Sequence, residues 1–166
     1  MALILCLETS SKNCSVSISN DGSTLFTKEN FDENYCHGEK LHILIQELLI
    51  EAEIAISQVD VFCFSLGPGS YTGLRIGAAS IKGFSFALNK PIVAVSTLQS
   101  LAWGVVNSGI IKKINKLDFL CPLIDSRQGE VYAALYDSDL IECLEPFPCD
   151  IMTFSFSEYL DQGKVY

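Results

Sequence analysis

Basic residues are scarce in this sequence: 11 Lys and Arg stand against 20 Asp and Glu, a net charge of −9. A chain this acidic is not built to hold nucleic acid by itself, because phosphate binding needs a basic face. Any role on RNA needs a partner that carries the RNA. Histidine is scarcer still. His37 and His42 are the only two, and at that spacing on a helix they diverge by roughly 140°, so they do not share a metal. The seven cysteines, Cys6, Cys14, Cys36, Cys63, Cys121, Cys143 and Cys149, are odd in number and contain no Cys-x-x-Cys pair. Four of them (Cys6, Cys14, Cys63 and Cys121) sit in apolar strand-like runs. They read as reduced thiols acting as small buried hydrophobes, not as a disulfide framework or a zinc site. No Cys–His nucleophile pattern is evident. No apolar run approaches membrane-spanning length, and residues 1–8 are too short for a secretory signal and lack its basic start. The expectation is a soluble, cytoplasmic protein that carries no metal of its own.

What is present is apolar and patterned. Hydrophobic residues make up 49% of the chain, enough for a real core. Residues 2–8 read as a buried strand. Residues 14–19 alternate Cys, Val and Ile with Ser, the period of a half-buried strand. Asn20-Asp21-Gly22 is a hairpin signal, and residues 23–30 are its return strand. A helix is expected over 38–56, with Leu41, Leu44, Ile45, Leu48, Leu49 and Ala52 on the face that meets the sheet. Ile43, Ile50 and Ile54 fall on the opposite side at about 100° per residue. Two apolar stripes ask for two partners, the second being another protein or another part of this chain.

Residues 59–66 form a nearly continuous apolar run, as a parallel strand buried on both faces would. A glycine turn then opens a helix over 72–89. Arg75 and Lys82 share its one narrow polar stripe. Gly73, Gly77, Ala78 and Gly83 are poor choices for helix stability alone, Gly most of all, and suit the close approach of another backbone. A partner interface is therefore expected to combine Ile43, Ile50 and Ile54 with Gly73, Arg75, Gly77, Ala78, Lys82 and Gly83. A short parallel strand follows over 91–96. Ser96 or Thr97 can cap a helix over 98–106, and a basic connector over 110–116 marks the expected boundary between a first domain, 1–109, and a second, 110–166. The second opens with a strand over 118–124 and an antiparallel return over 131–136. A turn follows at 137–139, then a third strand over 140–144 and a loop at Glu145-Pro-Phe-Pro148. A helix over 155–160 and the start of a strand at 163–166 complete it. About 55 residues rarely close a core of their own, so the chain is expected to be a truncated product of a longer gene.

Gly67-Pro-Gly69 and Gly73 do not make a Walker loop, since no Gly-Lys-Ser/Thr follows. The next strand ends in no acidic residue for a ribose. The helix start can hold an anion near Ser70, Tyr71 and Thr72, or it is a tight turn followed by close packing.

The element order, β-β-β-α-β-α-β-α followed by a second β-β-β start, resembles the α/β, actin-like ATPase (ribonuclease H-like) fold. In working members of that fold an acidic residue ends strand one and a Gly-rich turn holds phosphate. Here the position reads Glu8-Thr-Ser-Ser-Lys-Asn-Cys14, without the glycine that would let a phosphate approach backbone N–H groups. The resemblance places a second carboxylate at Asp125. Glu8, Thr9, Ser10 and Asp125 either contact a nucleotide or are ordinary strand-end residues.

Ser65-Leu-Gly-Pro-Gly-Ser-Tyr-Thr-Gly-Leu-Arg-Ile-Gly77 is similar to the signature of the bacterial TsaB family, also called YeaZ. Ile4-Leu-Cys-Leu-Glu-Thr-Ser-Ser11, His37-Gly-Glu39 and Asp125-Ser-Arg-Gln-Gly-Glu-Val-Tyr132 support the likeness along the chain. The resemblance implies a part in making threonylcarbamoyladenosine in tRNA. It implies a non-catalytic subunit that pairs with a TsaD-like catalytic paralogue and a TsaE-like ATPase, with ATP and metal held by those partners. It also implies a homodimer when the chain is alone, joined through the first two helices, which are the ones with surplus apolar surface. The competing reading is a small-molecule kinase or ATPase using Glu8 and Asp125. The family's older glycoprotease label suggests a peptidase, for which these residues offer no nucleophile or metal.

Overall fold

The computed structural model describes residues 2–32, 37–111, 114–127 and 129–166. The chain groups into two compact units, Met1–Val95 and Ser96–Tyr166.

The first unit is built on five strands: β1 (Leu3–Glu8), β2 (Asn13–Asn20), β3 (Ser23–Phe31), β4 (Val61–Gly67) and β5 (Ile92–Ser96). Their order in the sheet is β3-β2-β1-β4-β5. The first three form the expected antiparallel meander, turned at Asp21 and Gly22, which both take positive φ. β4 joins the free edge of β1 in parallel. Two helices, α1 (His37–Glu51) and α2 (Tyr71–Leu88), pack on the sheet. Strand alternation sends Leu5, Leu7, Cys14, Val16, Ile18 and Phe62 into one core with Leu41, Leu44, Ile45, Leu48 and Ile81. Each large apolar side chain buried this way contributes about 1.5–3 kcal/mol, so this seam holds sheet and helices together. The arrangement is that of the actin-like, ribonuclease H-like fold.

α1 is shorter than the apolar period suggests. It stops at Glu51, and Glu53 turns into the left-handed region with φ 55°. A single 3-10 turn, Ile56–Gln58, follows. Ile54 therefore lies beyond the helix and is half-buried against the first core. It is not the end of an exposed helical stripe, as its spacing implied. α2 matches its expected span, capped by the Ser70 side chain at one end and by left-handed Asn89 at the other.

The second unit holds α3 (Thr97–Ser108), β6 (Phe119–Leu120), β7 (Leu123–Arg127), β8 (Glu130–Asp137), β9 (Glu142–Asp150) and a short α4 (Ser157–Leu160). The Ser96 side chain caps α3, accepting from Gln99 N at 3.4 Å. Leu98 and Ala102 of α3 share a core with Leu120, Ala134 and Tyr136. That shared core is why the division falls at 95/96, ahead of α3, and not after Gly109. The strand expected over 118–124 is interrupted. Leu120 faces Tyr136 and Leu123 faces Ala133, so β6 and β7 run in one register along β8. The break is at Cys121-Pro122, where proline has no N–H to give. The loop expected at Glu145–Pro148 is instead the middle of β9, whose pairing partner among the described residues is β8. An edge strand is where a sheet accepts prolines.

The strand start expected over 163–166 is, in the structure, a single isolated bridge. Val165 bridges Phe119 in parallel, and Gly163 fits because a Cβ there would lie 1.7 Å from the Leu117 carbonyl oxygen. Asp118 ties this segment down. Its carboxylate accepts from Asn115 N (2.8 Å), Asn115 Nδ2 (2.9 Å) and Lys164 N (3.1 Å). The Asn115 backbone N–H first, then the Lys164 N–H, hold its carboxyl below the usual carboxylate value. A carboxyl depressed in the folded state stabilises the fold above its unfolded pKa, and that contribution is lost as pH falls through the folded value. Asp118→Asn is expected to flatten the fall in stability of the second unit below about pH 4. Urea midpoints between neutral and acid pH check this, and an unchanged slope counts against it.

Among the described residues no helix is long and apolar enough to cross a membrane.

Candidate functional site

The turn between β4 and α2 is laid directly on the end of β1. Gly67 and Gly69 take φ of 110° and 155°, backbone that side chains rarely adopt. Ser70 N donates to the Ser10 carbonyl at 2.6 Å, and Ser70 Oγ accepts from Gly73 N at 3.3 Å. A Cβ on Gly73 would sit 2.0 Å from the Thr9 carbonyl oxygen, and one on Gly77 would sit 2.5 Å from Thr9 Oγ1. Both glycines are buried. The close approach that their small size permits is thus to β1 of the same chain. Gly73 and Gly77 leave the expected partner surface and become packing residues. Thr9 and Ser10 are buried beneath the turn, while Tyr71 and Thr72 are exposed. Two of the N–H groups that an anion would need, those of Ser70 and Gly73, are already engaged within the chain.

Glu8 is engaged as well. Its carboxylate accepts from Ser10 N at 2.7 Å and from the Ser65 hydroxyl. It joins the end of β1, on which the glycine turn lies, to the end of β4, from which the turn leaves. Asp125 belongs to the other unit, exposed on β7 opposite Val131. Arg127 and Glu130 face each other at the end of that hairpin. Among the described residues no three His, Cys, Asp or Glu side chains stand close enough to hold a metal. A hydrogen bond to a charged group contributes about 1.5–3 kcal/mol. Glu8→Ala is therefore expected to destabilise the first unit by about 2 kcal/mol, read as a lower urea midpoint at unchanged slope. No shift in the midpoint would mean that the carboxylate does not tie the strands.

The outward side of α1 and α2 is different in character. Ile43 is 49% and Ile50 69% exposed. Beside Ile50 runs an open groove of about 450 Å³, lined by Ile45, Leu49, Ile54, Ile56 and Phe84 together with His42, Gln46 and Glu53. His42 reaches across to Ser80 Oγ at 3.2 Å and meets the Phe84 ring edge-on at 5.9 Å. Ile54 thus has a place at this surface, but as a groove wall. On α2, Arg75, Lys82 and Gly83 are exposed and Ala78 is half-buried. The Arg75 guanidinium lies 5.3 Å from the centre of the Tyr71 ring. Gly83 has no atom within 4 Å of where its Cβ would stand, so it alone of the three interface glycines remains open to another molecule. The sequence reading left out Phe86, which is 91% exposed. Its position one turn after Lys82, on the polar stripe, is the signal that could have found it.

A protein-family model described as "TsaD: tRNA N6-adenosine threonylcarbamoyltransferase" matches residues 34–142. The tRNA threonylcarbamoyladenosine biosynthesis protein TsaB of Escherichia coli K12 is 30% identical over 82% of this chain. The chain belongs to the TsaB (YeaZ) family of TsaD-like proteins. TsaB of Bacillus subtilis is 34% identical over 66% of the chain. Among solved structures, YeaZ from Pseudomonas aeruginosa superposes with a TM-score of 0.76 at 29% identity, covering 93% of this chain and 70% of that one. The chain spans about half the length of the curated TsaB relatives it matches, 55% of the E. coli protein and 45% of the B. subtilis protein.

Proposed function

We propose that this chain serves the formation of threonylcarbamoyladenosine in tRNA as a non-catalytic partner subunit. It pairs with a TsaD-like catalytic subunit, is joined by a TsaE-like ATPase, and forms a homodimer when alone. The observation that carries this reading is the outward side of α1: Ile50 exposed on an open groove, and Ile43 exposed two turns before it on the same helix. Large apolar side chains exposed at a groove are the kind of surface that marks an interaction site. The names of the relatives supply the pathway, and the charge of −9 supports contact with tRNA only through a partner. ATP and metal belong, in this reading, to the partner subunits. The engagement of Glu8 by Ser10 and Ser65 favours it over a kinase or ATPase that would use Glu8 on substrate.

The test is sedimentation of the chain alone and mixed with its cognate TsaD. A homodimer that gives way to a heterodimer supports the proposal. A monomer that leaves TsaD unshifted overturns it.

A further inference from the structure

The helix-covered face of the first sheet takes Leu5 and Leu7 of β1. Alternation puts Cys6 on the other face. There Cys6 stands in a row across three strands. Its ladder partner on β2 is Ser17, and its ladder partner on the parallel strand β4 is Cys63. Neighbouring strands lie about 4.8 Å apart, inside the span of about 4.4–6.8 Å between the Cα atoms of bridged cysteines. Both thiols are half-buried, within reach of a small reagent. Next along the same two strands comes the Glu8–Ser65 hydrogen bond, so the thiol pair sits one step from the tie that closes these strand ends.

We propose that Cys6 and Cys63 are a redox-active thiol pair, with Cys6 the thiol that a hydroperoxide oxidises and Cys63 the thiol that resolves it. The Cys6 sulfur attacks the terminal peroxide oxygen and the O–O bond breaks. Cys6 becomes a sulfenic acid, and its proton leaves on the alcohol or water released. The Cys63 sulfur then attacks the Cys6 sulfur and the S–O bond breaks. The hydroxide leaves as water with the Cys63 proton. Two thiols and one hydroperoxide give one disulfide, one alcohol or water, and one further water, a two-electron oxidation.

The surroundings support this order of events. The neighbouring Cys63 thiol first, then the Ser17 and Ser19 hydroxyls, lower the Cys6 thiol below its ordinary value against the opposing effect of burial. Cys63 is pushed up as the donor of the pair. Cys14 and Cys121 are pushed up to about 11 by burial, and Cys143 and Cys149 are also raised. The thiolate is the nucleophile, so Cys6 is favoured among the described cysteines although Cys143 is the more exposed.

The test treats the intact protein with hydrogen peroxide at a small molar excess, then alkylates and maps peptides by mass spectrometry. The expected product is a Cys6–Cys63 linked peptide about 2 Da lighter than the two thiol peptides together, restored by a dithiol reductant. In unoxidised protein at neutral pH, Cys6 is expected to alkylate about tenfold faster than Cys143. In Cys63→Ser the linked peptide disappears and Cys6 persists as a sulfenic acid trapped by a cyclic dione. A disulfide joining other cysteines, or a Cys6 that alkylates no faster than Cys143, overturns the proposal. Both of those readouts come from the unmodified sequence and do not depend on a variant folding.

Discussion

Gly73→Ala is expected to unfold the first unit, or to leave it barely stable. The added Cβ would stand 2.0 Å from the Thr9 carbonyl oxygen. That oxygen belongs to backbone, so no side chain can swing aside to make room. Relief requires α2 to lift from β1, and lifting it strains the Ser70 N–Ser10 O bond and pulls Ile81 of the same helix from the core that it shares with Leu5 and Leu7. Overpacking commonly costs about 1–3 kcal/mol, and the rigid obstacle here places the cost at about 3 kcal/mol or above. That is a large share of the roughly 5–15 kcal/mol that holds a domain folded. Gly83→Ala is the matched control on the same helix. Nothing lies within 4 Å of its Cβ position, so the change should stabilise by about 0.8–1 kcal/mol through helix propensity alone. Thermal or urea unfolding of both variants decides the matter. A Gly73→Ala protein with the parent midpoint would show that α2 does not rest on Thr9.

This contrast also marks where sequence reading stops. Small residues at 73, 77 and 83 announce that something comes close, and nothing local says what. For Gly73 and Gly77 it is Thr9, which meets them only when β4 docks beside β1. The meander is legible because its signals are local: Cys14, Val16 and Ile18 alternate with serines, and Asp21-Gly22 supplies the positive φ of the turn. The end of α1 is not legible, because apolar residues continue in helical phase through Ile54 after Glu53 has left the helix. Pro146 and Pro148 invite a loop, yet the long pairing with β8 prevails because β9 takes its partner on one side. Of the four cysteines expected to be buried, only Cys14 is; on the first sheet it shares the helix-packed core face, while Cys6 and Cys63 alternate to the other face. Cys36 lies outside the described residues. Glu8 shows the same limit from another side. A carboxylate at the end of strand one suits chemistry by position, and its hydrogen bonds to Ser10 and Ser65 emerge only in three dimensions.

Ile50→Glu is expected to abolish self-association and pairing with TsaD while the fold persists. The side chain is 69% exposed and lies on the open wall of the groove, so the isolated subunit loses little by exchanging it. In an interface the same position would have to desolvate a carboxylate among Leu49, Ile54 and Phe84, which is unfavourable without a partner for the charge. A central interface residue of this kind contributes about 2 kcal/mol or more, equivalent to at least about a 30-fold weaker complex. Sedimentation reads the association, and circular dichroism with a melting curve confirms that the subunit is intact. Phe86→Asp on α2 separates two forms of the interface. If it weakens binding as much as Ile50→Glu, both helices meet the partner as one surface. If it leaves binding unchanged, the α1 groove carries the contact alone. A folded Ile50→Glu protein that still associates as the parent does would move the partner off α1 altogether. The proposed subunit role would then lose the observation on which it rests.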